Sequence, residues 1–593
     1  MTRSPAGARG EPGVAAGGRA GYARPVEPTR DAPGTAAGPR AGAEPRVPDA
    51  PPAPAAEPAP GAAPPPPTPW SPLRLRLFRA LWLANMVSFV GTWIHEVGAA
   101  WLMTSLAPRP VWVAAVQAAA MLPMFLLVLP AGTLADLLDR RRLLLAAIAW
   151  MLLASGALGA LTLAGAVTPP LLLALTALLA AGQAFAAPTW QSLLPEVVGR
   201  DELPGAIALG SLSVNLARSV GPALGGVIVA AAGPGAAFLL NAVSFVAVLG
   251  VLARWRRPGA AGPLPAERLL GAMRTGLRYV GHAPRLVSVL VRSSAFIACG
   301  TALWALLPLL ARSELGLGAA GYGGLLAVFG VGAVTAAAAL PRRRRSASTD
   351  ALATAAALIF AAALSGLAVA PRAAWVAAAM FAGGGAWLTL LSGFQVAAQT
   401  VLPAWVRGRA LAAYLLVFFG SMGLASLGWG AVATALGLRP ALALAALGAA
   451  ASTLLRLRFR LRTGEDLDLS PSRHWPAPAT AGEIAPERGP VMVTLEYRVR
   501  PEEAAEFERA MAKVRLARRR DGAYFWDLFT DAADPERYVE VYLTDSWLEH
   551  LRQHERVTEQ DRRAEGVARE HAVGGAPRAV THLLSAGRRV RHR

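Results

Sequence analysis

The chain has 593 residues, of which 54% are hydrophobic and only 16% charged, against about a quarter charged in ordinary soluble domains. The net charge of +20 comes almost wholly from arginine, and the single cysteine, Cys299, excludes a disulfide framework. Such an excess suggests nucleic acid in a soluble protein, but here much of the arginine lies in short loops between apolar runs, which points to membrane topology instead.

Residues 1–70 are Pro, Ala and Gly with scattered charge. They hold too little apolar surface to fold and no signal-type apolar core near Met1, so a disordered cytoplasmic tail is predicted. Twelve apolar segments follow, at about 80–106, 110–132, 142–165, 169–188, 207–231, 234–253, 291–311, 321–340, 351–370, 372–397, 408–432 and 437–455. Most have the length needed to cross a bilayer core of about 30 Å. The longest interruption divides them six plus six: a half over 73–253, a loop over 254–290 and a half over 291–456. Within the loop, ERLLGAMRTGLRYV mixes apolar and basic positions at helical spacing and predicts a helix on the inner surface.

Charge sets the expected orientation. With the N-terminus inside, the inner loops hold twenty-four arginines, and the outer loops hold four: Arg109, Arg312, Arg372 and Arg439. Basic residues favour the cytoplasmic side, so both termini are placed there.

Beyond Arg462 a polar, Pro-rich linker over 463–489 leads to a module over 490–586. VMVTLEYRV (491–499) alternates as a half-buried strand does. PEEAAEFERAMAKVRLA reads as a helix, AYFWDLFT (523–530) and RYVEVYLT (537–544) as strands, SWLEHLRQH as a helix opened by a Ser546/Glu549 capping box, and RAVTHLLS (578–585) as a last strand. The expected fold is therefore an all-α membrane protein of twelve transmembrane helices in two six-helix halves, with a small C-terminal α+β domain of ferredoxin-like βαββαβ order.

Two halves of six spans around a cytoplasmic waist resemble the major facilitator superfamily of secondary transporters. PAGTLADLLDRRRLLL resembles the superfamily's second-loop signature, with Gly132, Leu134, Ala135, Asp136, Arg140 and Arg141 in matching places. Leu137 and Asp139 depart from it, standing where Arg and Gly are usual. The resemblance implies a gating latch, in which Asp136 lies near arginines and the positive end of a neighbouring helix; PRRRR at 341–345 is its degenerate counterpart. The plain alternative is that the arginines only set topology. In the fifth span, Gly221, Pro222, Gly225 and Gly226 resemble the fifth-helix motif of superfamily exporters. Small residues there let another helix approach closely, and the proline allows a bend.

Glu96, in GTWIHEVGAAWLM, is the only acidic residue well inside any apolar segment. A carboxylate in lipid is expensive and needs a reason to be there. Arg218 lies at a similar depth in the fifth span, on one face with Ser211, Asn215 and Pro222. In the fold implied by the resemblance, spans one and five both approach a central cavity. Three readings stay open: a structural Glu96–Arg218 pair, Glu96 as the proton-coupling carboxylate, or Glu96 as a contact for a cationic substrate. His95 points about 100° away and reads as a packing residue. Gln117, Gln183, Asn215, Asn241, Gln395 and Gln399 are intramembrane amides that either face a cavity or bond a neighbouring helix.

The C-terminal pattern resembles the cofactor-free antibiotic-biosynthesis monooxygenase fold, a dimeric α/β barrel. Twelve spans with this appendage look like the transmembrane secretion effector branch, which includes relatives of the enterobactin exporter. His550 and His554 are four apart on a helix, but neither Glu nor a third His follows at metalloenzyme spacing, so no metal site is expected; no cofactor is expected either. Trp526, Trp547 and His550 either line a barrel pocket or simply pack.

Taken together, the residues and the resemblance imply a proton-driven exporter of a small organic molecule in the bacterial cytoplasmic membrane, with dimerisation possible through the module and no nucleic-acid partner. No nucleotide-binding Gly-rich loop is present. The alternatives are an importer, or a membrane-tethered enzyme or sensor working through its C-terminal domain.

Overall fold

Helix starts follow the prolines. A computed structural model describes residue 68 and residues 70–199, 201–255 and 278–586, with the side chains of residues 133, 136 and 137 left undescribed. The predicted tail, most of the predicted loop helix and the Asp136 side chain therefore lie outside the described residues. The helices are α1 (Arg76–Leu106), α2 (Pro110–Leu137), α3 (Arg140–Leu163), α4 (Pro169–Val198), α5 (Leu203–Arg254), α6 (Pro284–Leu309), α7 (Ala319–Ser346), α8 (Thr349–Val369), α9 (Ala373–Thr400), α10 (Arg407–Leu436) and α11 (Leu438–Ala451). α2, α4, α5 and α6 carry Pro in their first two positions, where the missing N–H costs no helical bond.

Eleven of the described helices are long and apolar enough to cross a membrane, with α6 and α11 counted together with their short extensions. One of them does so twice. α5 has 52 residues, about 78 Å at 1.5 Å per residue and more than two bilayer cores. Gly233, at φ 78° and ψ 168°, breaks it ahead of Pro234, in a conformation that suits glycine. The two arms give spans five and six, and the twelve expected spans are present.

Many large apolar side chains, among them Leu83, Val87, Leu126, Leu153 and Leu447, point outward, as lipid requires. Within lipid, helices gain little from hydrophobic burial and associate where backbones come close. The halves meet along α5–α7 and α2–α10. A Cβ added to Gly226 would fall 2.8 Å from the Cα of Gly323 and 2.8 Å from the Ala319 carbonyl oxygen. Gly430 of α10 would meet the Cβ of Ala114 at 2.7 Å, and Gly330 of α7 the Cα of Ser219 at 3.1 Å. Arg312, just beyond α6, donates to Thr104 Oγ1 at 3.0 Å and to Ser105 at the end of α1. The seam is thus shut from the arginine-poor end to about the midplane.

The C-terminal module holds β1 (Val491–Arg498), α12 (Ala504–Asp521), β2 (Phe525–Thr530), β3 (Arg537–Thr544), α13 (Trp547–Arg556), α14 (Glu559–Glu570) and β4 (Ala579–Leu584). The strand order is β2-β3-β1-β4 and every pairing is antiparallel, the ferredoxin-like arrangement. Val491, Val493, Leu495 and Tyr497 face a core with Phe507, Met511 and Val514.

Two details differ from expectation. Ser546 does cap α13 through the Glu549 N–H, but the Glu549 carboxylate turns to Arg556, and the reciprocal capping box is formed by Thr558 and Asp561 at α14. Residues 463–489 are also no free linker: His474 and Trp475 bond Glu565, and Pro471 bridges to Thr558. Buried aromatic and ionic partners hold this segment against the module.

The module is fastened to the helices near the arginine-rich end. Arg278 donates to the Gly522 carbonyl and lies 3.5 Å from Asp545. Arg285 pairs with both oxygens of Asp466 at 2.6 and 2.8 Å, and the Arg556 guanidinium stacks 4.7 Å from the Trp405 ring centre. Bidentate and stacked arginines of this kind are the stronger class of such contacts.

Gly226→Leu, placed in a Cys299→Ser background with spin labels near the ends of α5 and α7, should lengthen the distance between them by double electron–electron resonance. An unchanged distance would show that the seam does not depend on the glycine contact.

Candidate functional site

Between the halves lies a small cavity of about 60 Å³. The first half contributes Thr92, Trp93 and Glu96 from α1, Gln117 from α2, and Thr176 and Gln183 from α4; the second contributes Trp304 and Pro308 from α6 and Tyr322 from α7. On α1, Thr92, Trp93, Glu96 and Ala100 recur at the spacing of one helical face, which turns the carboxylate inward. The Glu96 carboxylate makes no hydrogen bond or ion pair among the described residues. Three other polar atoms of wall residues, Thr176 Oγ1, Trp304 Nε1 and His95 Nε2, are buried without a hydrogen-bond partner among the described residues. Buried polar atoms are normally satisfied, so this wall is built to meet something other than its own chain.

The size of the cavity narrows what this conformation can hold. Each water needs roughly 10–15 Å³ on such a measure, so a few water molecules fit, while drug-sized ligands occupy about 300–1,000 Å³. An organic molecule of that size enters only when the halves part.

Arg218 does not touch Glu96. The two charges are close enough to act on one another, yet the guanidinium lies over Trp93, 5.8 Å from the ring centre. Trp93 itself fills the notch left by Gly221, whose added Cβ would sit 2.5 Å from the Trp93 Cβ. Gly225 likewise admits Ile94 and Val97, while Gly226 faces α7. The fifth-helix glycines and Pro222 therefore form two close crossings, one within the first half and one between the halves.

The remaining predicted residues are placed as follows. His95 is buried, bonded through Nδ1 to Ser155 Oγ at 3.2 Å and packed 4.7 Å from the Phe238 ring, although its edge also reaches the cavity. Asn241 is buried away from the cavity near Ser155 and Ser244. Asn215 and Gln395 are exposed and do not line this cavity; the Asn215 amide bonds the Ser211 carbonyl of its own helix at 2.9 Å. Gln399 is exposed as well. In the second loop Arg140 joins Glu196 at 2.6 Å, tying α3 to α4, and Arg141 donates to the Leu252 and Ala253 carbonyls in the last turn of α5. Gly132 has open space where a side chain would be. Asp139, which departs from the second-loop signature, caps α3 through the Arg142 N–H at 2.8 Å.

Sequence reasoning missed Thr176, Trp304 and Tyr322, uncharged residues whose helix rotation no pattern gives. It also missed Arg292, buried in α6 and paired with Asp350 at the start of α8.

The module carries its own polar core. Glu540, fully buried, accepts from Arg518 Nε at 2.9 Å, Trp526 Nε1 at 2.9 Å and Tyr497 Oη at 3.2 Å. Burial would raise the neighbouring Glu565, but Arg518, at 2.7 Å, and His474 outweigh it and hold the carboxyl at about 2. A third histidine, His582 of β4, lies beside His550 and His554. The ground for expecting no metal site there, a missing third ligand, thus fails: strand pairing supplies what sequence spacing concealed.

Two six-helix halves around a largely apolar cavity that carries one carboxylate have the architecture of a transporter of the major facilitator fold. The solved structures agree on that fold: a POT family transporter in complex with 5-aminolevulinic acid (TM-score 0.55, 12% identity, covering 65% of this chain and 96% of that one) and a bacterial homologue of the iron transporter ferroportin in an inward-facing state (TM-score 0.52, 16% identity, 65% and 99%). The chain belongs to the transmembrane secretion effector family, whose pattern matches residues 67–590. Among curated relatives, the Staphyloferrin A transporter of Staphylococcus aureus is 30% identical over 168 residues, 28% of this chain and 42% of that protein. The multidrug efflux pump Tap of Mycobacterium tuberculosis is 30% identical over 208 residues, 33% and 49% respectively. The chain thus spans less than half the length of each.

Glu540→Gln should lower the stability of the module by about 1.5–3 kcal/mol, the usual worth of hydrogen bonds to a charged group, since Arg518 keeps its pairing with Glu565. Thermal unfolding followed by tryptophan fluorescence of the full chain checks this; a loss under about 1 kcal/mol would mean that water reaches Arg518.

Proposed function

We propose that the chain is a secondary active transporter that exports a small organic molecule, of siderophore, antibiotic or drug-like class, in exchange for protons. It resides in the bacterial cytoplasmic membrane with both termini in the cytoplasm, an orientation supported by the arginine excess at one end. The observation that carries the reading is Glu96: a carboxylate with no hydrogen bond or ion pair among the described residues, on the wall of a cavity that both halves build. In alternating access the halves rock around such a midplane site. The seam of Gly226, Gly323 and Gly430 closes one face, and its parting would expose Glu96 on that face to water and protons. Arg218, whose guanidinium lies over Trp93, would bias the carboxylate without neutralising it by contact. Asp136, Arg140 and Arg141 would serve the latch at the other end, and Asn215 and Gln395 would meet substrate only with the cavity open towards them. Similarity to the Staphyloferrin A transporter and to the multidrug efflux pump Tap supports a small organic cargo over a catalytic role for the module.

The module would pair two chains. Among the described residues one face of its sheet has no helix over it, and it presents Phe525, Phe529, Val541, Leu543 and Leu583, with Phe529 47% exposed. Covering such a face with a second copy removes apolar area from water.

Two experiments test these readings. Glu96→Gln should reach the membrane in normal amount yet lose substrate-driven proton movement in inverted vesicles, with substrates taken from a resistance screen; coupling retained in that variant sinks the assignment. Phe529→Glu should halve the detergent-corrected mass by light scattering, and a mass equal to that of the wild type would remove the dimer.

A further inference from the structure

We propose that His550, His554 and His582 form a three-nitrogen site for a divalent transition metal of the zinc class, set between α13 and the edge strand β4. His550 and His554 are one turn apart on α13 and share a face. His582 stands opposite Val493 in β4, on the face of the sheet that the helices cover. One nitrogen from each ring lies within 4.8 Å of the others. The Nε2 atoms of His550 and His554 are 3.3 Å apart, and two ligands of a tetrahedral zinc at about 2.0–2.1 Å are separated by roughly 3.3–3.4 Å.

A hydrogen bond between the two imidazoles would explain that separation alone. It leaves the third ring unaccounted for, whose centre lies 4.9 Å from that of His550 at a tilt of 58°, with no hydrogen bond to it among the described residues. Three ring nitrogens converging beside the fully buried His550 form a costly cluster unless a cation collects their lone pairs.

The donor set chooses the ion. Three imidazoles without carboxylate or thiolate suit zinc, copper or nickel and give calcium or magnesium no oxygen ligands. Arg518 is the positive charge that acts on the cluster, and it is already balanced by Glu540 and Glu565. Trp475, held by Glu565, packs edge-on 5.0 Å from His554 and walls one side. His554 and His582 are half-buried, which leaves a fourth position for water.

The test uses the untagged full chain in detergent, since a polyhistidine tag would bind the probe. After stripping with chelator and exposure to Zn²⁺, gel filtration and mass spectrometry of the metal should find one zinc per chain. Co²⁺ should give the visible bands of a tetrahedral site. His582→Ala and the conservative His554→Gln should each weaken Zn²⁺ binding by at least about 10-fold, since even outer partners of a metal ligand are worth 10–100-fold. The near-ultraviolet circular dichroism of Trp475, Trp526 and Trp547 reports whether each variant keeps its fold. Less than one zinc retained by the wild type, or equal affinity in a folded variant of either histidine, overturns the site.

Discussion

Close backbone contact at the seam is the constraint on which the rest of the membrane region depends. Lipid tails are as apolar as leucine, so no hydrophobic gain draws α5 to α7 or α2 to α10. What remains is packing, and packing of two helices is best where neither carries a side chain at the crossing. Gly226 against Gly323 is such a point. The halves touch there, and Tyr322 and Leu326, which flank Gly323 in α7, line the cavity that holds Glu96. The surroundings of Glu96 and the geometry of a pair of glycines are thus linked.

The same contact explains the layout around Arg218. Gly221 and Gly225 lie on the side of α5 that receives α1, while Gly226 faces the other half. Trp93 enters the first notch, and the Arg218 guanidinium lies over its ring. A direct salt bridge at this depth would cost desolvation of both ions and fix the two helices together. Here the guanidinium rests on an indole instead, and its charge reaches the carboxylate without a contact.

Much of this was legible in the sequence, and the limits have physical causes. Apolar runs and loop arginines gave the twelve spans, since length and charge are what a bilayer reads. Strict alternation in 491–499 and the turn at DAADPE gave the strands of the module. Glu96 stood out as an acid where acids are costly. Rotation about a helix axis was not legible: Gln117 and Gln183 face the cavity and Gln395 does not, although all three sit in similar apolar surroundings. Partners brought together by tertiary pairing were equally hidden. His582 meets His550 only because β4 pairs with β1, and Trp475 reaches Glu565 only because a proline-rich stretch folds back on α14. Arg292 escaped notice because it lies at the edge of an apolar run, where a basic residue normally means a loop.

The anchorage of the C-terminal module carries a mechanical implication. Tyr279, Arg278 and Arg285 precede or open α6, and Thr400 and Trp405 flank the α9–α10 connection, so among the described residues the fastening points all belong to the second six-helix bundle. Among the described residues the module is therefore carried by one bundle alone. Any movement of that bundle against the other would take with it a folded body of some hundred residues, and whatever grips that body would hold the bundle back.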